Sequence, residues 1–142
     1  MSTNRLTDLF EVAGQSPWLD NLKREYIVNG DFARVLASGI RGLTSNPTIF
    51  QKAIQGSALY DEQFDQSIQR GLSTEETYWE LVVSDIVGAL DIFAPLYVSS
   101  SGLDGYVSVE VSPALAHDMA GTVNAAQELQ DRIARPNVMI KG

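Results

Sequence analysis

Four short apolar segments, at 18–22, 40–44, 106–111 and 137–141, alternate with stretches of helical periodicity, and this alternation leaves few folds open. Between them lie a helical pattern carrying Phe32, Val35 and Leu36 that stops at Gly39, and a helix start at Ser45-Asn46-Pro47. Further on come a helical stretch over roughly 58–70, and a long apolar stripe through Trp79, Val82, Val83, Ile86 and Leu90. Asn before Pro is a favoured helix entry, and Ser73 with Glu76 three residues later forms a capping box. A last helix is predicted over 118–134, with Val123, Ala126, Leu129 and Ile133 on one face, and a first one over 2–13. Strand–helix alternation of this kind predicts parallel βαβ units with helices outside the sheet. Four strands are about half of a (β/α)8 barrel, which usually takes ~250 residues. The expected architecture is therefore the first half of one α/β barrel domain over residues 1–142, with two open sheet edges suited to self-association.

Composition narrows the function classes. Ten basic against 18 acidic residues give a net charge of −8, which disfavours nucleic acid and anionic membrane as partners. There is no cysteine, so thiol catalysis and cysteine-ligated metals are excluded. No uninterrupted apolar run is expected to approach the ~20 residues of a membrane span. Arg5, Asp8 and Glu11 break the apolar character that a secretory leader needs. A cytoplasmic protein is expected. His117 is the only histidine, which leaves little material for a histidine metal site or a Ser-His-Asp triad. Tyr78 and Trp79 read as core, and Asp61, Glu62 and Asp65 as a solvated helix face.

Each predicted strand carries polar residues at or near its carboxyl end: Asp20, then Thr44 with Asn46, then Ser108 with Glu110, and finally Lys141. In a parallel barrel those ends converge on one mouth. An amine, two carboxylates and an amide there supply a nucleophile for a Schiff base and groups for proton transfer. A desolvated amine at such a position has its pKa lowered toward reactivity. Plainer readings stand beside this one. Asn46 reads equally as a helix cap, Asp20 as the turn that ends a strand, and Lys141 as a solvated residue next to the last one. Glu110, between Val109 and Val111, is harder to dismiss, because an unpartnered buried carboxylate is costly.

The segments Ser16-Pro17-Trp18-Leu19-Asp20-Asn21-Leu22, Gly42-Leu43-Thr44-Ser45-Asn46-Pro47-Thr48-Ile49-Phe50, Val107-Ser108-Val109-Glu110-Val111 and Asn137-Val138-Met139-Ile140-Lys141 closely resemble the transaldolases of the longer bacterial type. The resemblance covers essentially the whole chain, with four motifs in order. It implies a cofactor-free Schiff-base transferase of the pentose phosphate pathway. Lys141 would attack the C2 carbonyl of a ketose phosphate such as fructose 6-phosphate or sedoheptulose 7-phosphate. Asp20 would take the hydroxyl proton so that the C3–C4 bond can break, and Glu110 would relay protons through water. Asn46 would hydrogen-bond the dihydroxyacetone unit, with Thr44 helping to place the acid/base residue and Ser108 joining them as substrate-binding. The three-carbon unit would then pass to an aldose phosphate. Family members continue well past the lysine, whereas Gly142 is the last residue here, so strands five to eight and the phosphate-holding Arg and Ser residues are expected to be missing. Two readings follow: an amino-terminal transaldolase half that names the activity, or a non-catalytic half-barrel that only self-associates. A related class I aldolase is the more distant third, set back by the Asn46-Pro47 and Trp18-Leu19-Asp20 contexts.

Overall fold

The computed structural model describes residues 4–142. Residues 2 and 3, where the first helical pattern was predicted to begin, lie outside them. Helix α1 (Arg5–Glu11) precedes strand β1 (Trp18–Asp20), which is followed by two short helices, α2 (Arg24–Val28) and α3 (Asp31–Ala37). Strand β2 (Gly42–Thr44) leads into α4 (Pro47–Gln55), a 3-10 turn at Ala58–Tyr60, α5 (Asp61–Gln69) and the 26-residue α6 (Thr74–Ser99). Strand β3 (Tyr106–Glu110), a second 3-10 turn at Pro113–Leu115, α7 (Met119–Ile133) and strand β4 (Val138–Lys141) complete the order.

All three strand pairings are parallel, in the order β1-β2-β3-β4. This is the arrangement the alternation predicted, an arc of an α/β barrel. Side chains alternate between the two faces of a strand. Leu19, Leu43, Val107, Val109, Val138 and Ile140 pack into one apolar core with Phe32, Phe50, Ile86, Leu90 and Phe93 of the helices. The opposite face carries Trp18, Asp20, Gly42, Thr44, Ser108, Glu110 and Lys141, and Met139 stands 45% exposed there. Gly42 is required by its neighbour: a Cβ at that position would lie 2.4 Å from the Trp18 ring. Gly105 enters β3 with φ +83°, and a Cβ there would meet the Tyr97 backbone nitrogen at 2.4 Å.

The predicted caps are present. The Asn46 side chain accepts from the Ile49 N–H at 2.9 Å, and Pro47 takes the first helical position. The Ser73 hydroxyl accepts from Glu76 N–H at 3.1 Å, while Glu76 accepts from Ser73 N–H at 2.7 Å. Ser112 and Pro113 open a 3-10 turn, and α7 begins after its own cap, Asp118, close to the predicted start at 118. Helix α6 is long and apolar enough to cross a bilayer by length and composition, with Asp85 and Asp91 interrupting its apolar run. Its apolarity has another cause here: Leu81, Val82, Ile86, Ala89, Leu90 and Phe93 are all buried in the protein core.

The segment after β1 is fastened by a buried polar cluster. Arg24 Nε donates to Asp85 Oδ1 of α6 at 2.7 Å, and the Tyr60 hydroxyl donates to Asp85 Oδ2 at 2.6 Å. The Arg24 guanidinium also bonds Gln63 at 2.7 Å and stacks 4.3 Å from the Tyr60 ring centre. Burial pushes the Asp85 carboxyl above its ordinary value, with the bonds from Tyr60 and Arg24 pulling against it. Burial and the bond to Asp85 push the Tyr60 hydroxyl far above the ordinary phenol range.

Candidate active site at the carboxyl ends of the strands

The register sets the site. Asp20 lies opposite Thr44 across β1 and β2, and Glu110 lies opposite Lys141 across β3 and β4. Each pair closes a hydrogen bond: Thr44 Oγ1 donates to Asp20 Oδ1 at 2.6 Å, and Lys141 Nζ donates to Glu110 Oε1 at 2.7 Å. Because parallel strands put residues of equal alternation on one face, the four side chains share the sheet face away from the helices. Asp20, Asn46 and Glu110 line one cleft of about 470 Å3, together with Pro47, Thr48, Ile49, Lys52 and Pro113. Lys141 lines a neighbouring cleft of about 500 Å3 that shares Glu110 and Pro113 and also includes His117 and Thr122. Glu110 therefore stands between the two.

Not every predicted residue is equally placed. Asn46 has its side-chain oxygen committed to capping α4, which leaves its amide N–H groups for a ligand. Ser108 is buried on the same face one step below Glu110 and lines neither cleft. Lys141 is exposed, and its pKa lies above the ordinary lysine value, raised first by the hydrogen bond to Glu110 and then by that carboxylate's charge, with Asp20 adding a smaller push. No burial lowers it here: the amine is exposed and, beside Glu110, is held protonated. Its proton has an acceptor 2.7 Å away.

Sequence reasoning passed over Ser45 as part of a helix entry. Its hydroxyl is buried and donates to the Ser108 carbonyl oxygen at 2.5 Å, tying the end of β2 to β3 just below Glu110. Arg24 and Asp85 were also passed over, although Asp85, an acidic residue amid the apolar positions of α6, was a readable signal. A groove of about 700 Å3, larger than either cleft, runs between α6 and α7 past Trp79, Leu129 and Arg132. None of the predicted site residues lines it, so size does not mark the site here.

A parallel α/β arc with an amine and two carboxylates at its strand ends defines a class of barrel proteins whose chemistry sits at the mouth. Comparison with known sequences gives the family: a family model described as Transaldolase/Fructose-6-phosphate aldolase matches residues 17–141, and the chain belongs to this family. Similar relatives are "Transaldolase 2" of Nostoc punctiforme, 45% identical over 142 residues, and the transaldolase of Trichodesmium erythraeum, 46% identical over the same length. Both matches cover 99% of this chain and 37% of the relative. The transaldolase of Neisseria gonorrhoeae is 44% identical over 128 residues, covering 90% of this chain and 36% of its own length. The chain thus spans a little over a third of the curated relatives it matches.

Proposed function

We propose that residues 1–142 form the amino-terminal half of a cytoplasmic transaldolase domain and carry its Schiff-base half-site. The observation that supports this most directly is the pairing of Lys141 with Glu110 and of Asp20 with Thr44 on one face, at the strand ends of a chain of this family. Glu110 takes the proton from the Lys141 ammonium, and the free amine attacks C2 of a ketose phosphate. The carbinolamine loses water to give an iminium. Asp20 then removes the C4 hydroxyl proton, the C3–C4 bond breaks, and its electron pair flows into the iminium to give an enamine. The aldose phosphate leaves, and the bound dihydroxyacetone unit attacks an acceptor aldose phosphate by the reverse steps. Asn46 holds hydroxyls of the three-carbon unit, Thr44 orients Asp20, and Ser108 supports the same subsite from below. These steps need no metal or organic cofactor.

Borohydride reduction in the presence of fructose 6-phosphate tests the reading. We expect an adduct on Lys141 by peptide mass, none with Lys141→Arg, and a retained adduct with Asp20→Ala whose cleavage step is slower by about 10²–10⁴-fold. An adduct on another lysine, or its survival in the Arg variant, sinks the lysine assignment. The raised Lys141 pKa and the unpaired outer edges of β1 and β4 favour a second reading, a non-catalytic half-barrel that self-associates. A folded chain that forms dimers and takes no adduct would select it.

A further inference from the structure

We propose that Ser45 is a positioning residue that holds the acid/base half of this site at a fixed distance from its amine half; the inference rests on the Schiff-base reading above. The site is built as two pairs, each on its own rung of the sheet. Asp20 lies opposite Thr44 across β1 and β2, and Glu110 lies opposite Lys141 across β3 and β4. The seam between the pairs is paired less far. Strands β2 and β3 are in register at Gly42–Tyr106 and Leu43–Val107, and that pairing ends one residue below Thr44 and three below Glu110. Above that rung, among the described residues, one side-chain hydrogen bond crosses the seam. It runs from the Ser45 hydroxyl to the Ser108 carbonyl oxygen, at 2.5 Å.

The surroundings of this bond suit it to fixing a distance. Ser45 and Ser108 are both buried, so water does not compete for the hydroxyl or the carbonyl. Ser45 is flanked by Thr44, which donates to Asp20, and by Asn46, which caps α4 and lines the site cleft. Ser108 stands two residues before Glu110, the acceptor for Lys141. One bond therefore joins the backbone that carries both pairs. The chemistry depends on that span. Lys141 bonds C2 of the sugar while Asp20 takes the proton of the C4 hydroxyl of the same molecule. A displacement of about 1 Å between such groups costs on the order of 10²-fold in rate. Asp20 already acts across the seam, since its charge adds to the upward push on the Lys141 pKa.

The 142-residue chain offers two readouts. Borohydride trapping of dihydroxyacetone on Lys141 needs no proton removal by Asp20, whereas release of glyceraldehyde 3-phosphate from fructose 6-phosphate needs both halves. Ser45→Ala should leave trapping unchanged and slow release by about 10- to 100-fold. Ser45→Thr keeps the hydroxyl and should restore release. Ser45→Cys keeps the volume with a weaker donor, should fall between, and replaces the Ala variant if that one does not fold. The second readout needs no turnover. At low salt, where the Debye length is ~30 Å, Asp20→Asn should lower the Lys141 pKa in the parent, and lower it less in the Ser45→Ala or Ser45→Cys background. Trapping and release that fall together mark a merely structural role and overturn the inference. So does an Asp20→Asn effect that is missing in the parent or equal in every background. A parent chain that takes no adduct defeats the Schiff-base reading alone, and the titration then decides the role of Ser45 by itself.

Discussion

Two ion pairs in this protein have the same length and opposite characters. Arg24–Asp85 and Lys141–Glu110 both close at 2.7 Å. The first has side chains 14% and 2% exposed, the second 67% and 27%. Around Asp85 both carboxylate oxygens are used, by Arg24 and by Tyr60, and the guanidinium has further partners in Gln63 and the Leu59 carbonyl. The Lys141 ammonium has one hydrogen-bond partner among the described residues. Distance alone therefore does not tell a girder from a reagent. What separates them is how many other bonds each charge makes, and how much water stands ready to replace a lost partner.

The comparison breaks most sharply at Asp85. Asp85→Ala leaves the Arg24 charge buried and unpaired, at a cost of about 3–5 kcal/mol, read as a lowered urea midpoint. An unchanged midpoint would mean that this cluster is as replaceable as a surface pair. Tyr60→Phe takes one donor from Asp85 and the oxygen that accepts from the Arg24 N–H, with an expected loss of about 1–3 kcal/mol by the same measurement. At the other pair the stability effect should vanish. Glu110→Gln should leave the denaturation midpoint at the parent value while the Lys141 pKa falls back toward 10.5, followed by the side-chain resonances across an alkaline titration. The sign follows from linkage. The folded-state amine is raised, so its small contribution is complete below 10.5 and fades as pH rises through the folded value. A lysine that titrates identically in parent and variant would remove Glu110 from the proton path.

The strands and their polar ends were legible because period-2 apolar runs closed by Asp20, Thr44, Glu110 and Lys141 are local patterns. Their order in the sheet followed from the handedness of βαβ units. Strand lengths were read one or two residues too long: Leu22 is buried but already outside β1, and Ile40 precedes β2. Helix α2 was not predicted, because five residues containing Tyr26, Ile27 and Val28 show no full helical period and carry β-branched side chains. The Arg24–Asp85 bond joins residues 61 apart, and nothing in the local composition of either announces the other. The carboxylate partner of Lys141 was missed for a related reason. The sequence shows an apolar strand around the amine, whereas the pairing register places a carboxylate directly opposite it.

The contact between Trp18 and Gly42 gives the molecule an optical probe. The indole lies against β2 two residues before Asp20 on the same face, so its emission senses whether the first two strands remain side by side. Trp79 is the only other tryptophan and sits on α6 beside Tyr78, at a ring separation of 5.4 Å. With Trp79 replaced by Phe, the remaining fluorophore reports on the Asp20–Thr44 end of the sheet alone, without a label and without turnover.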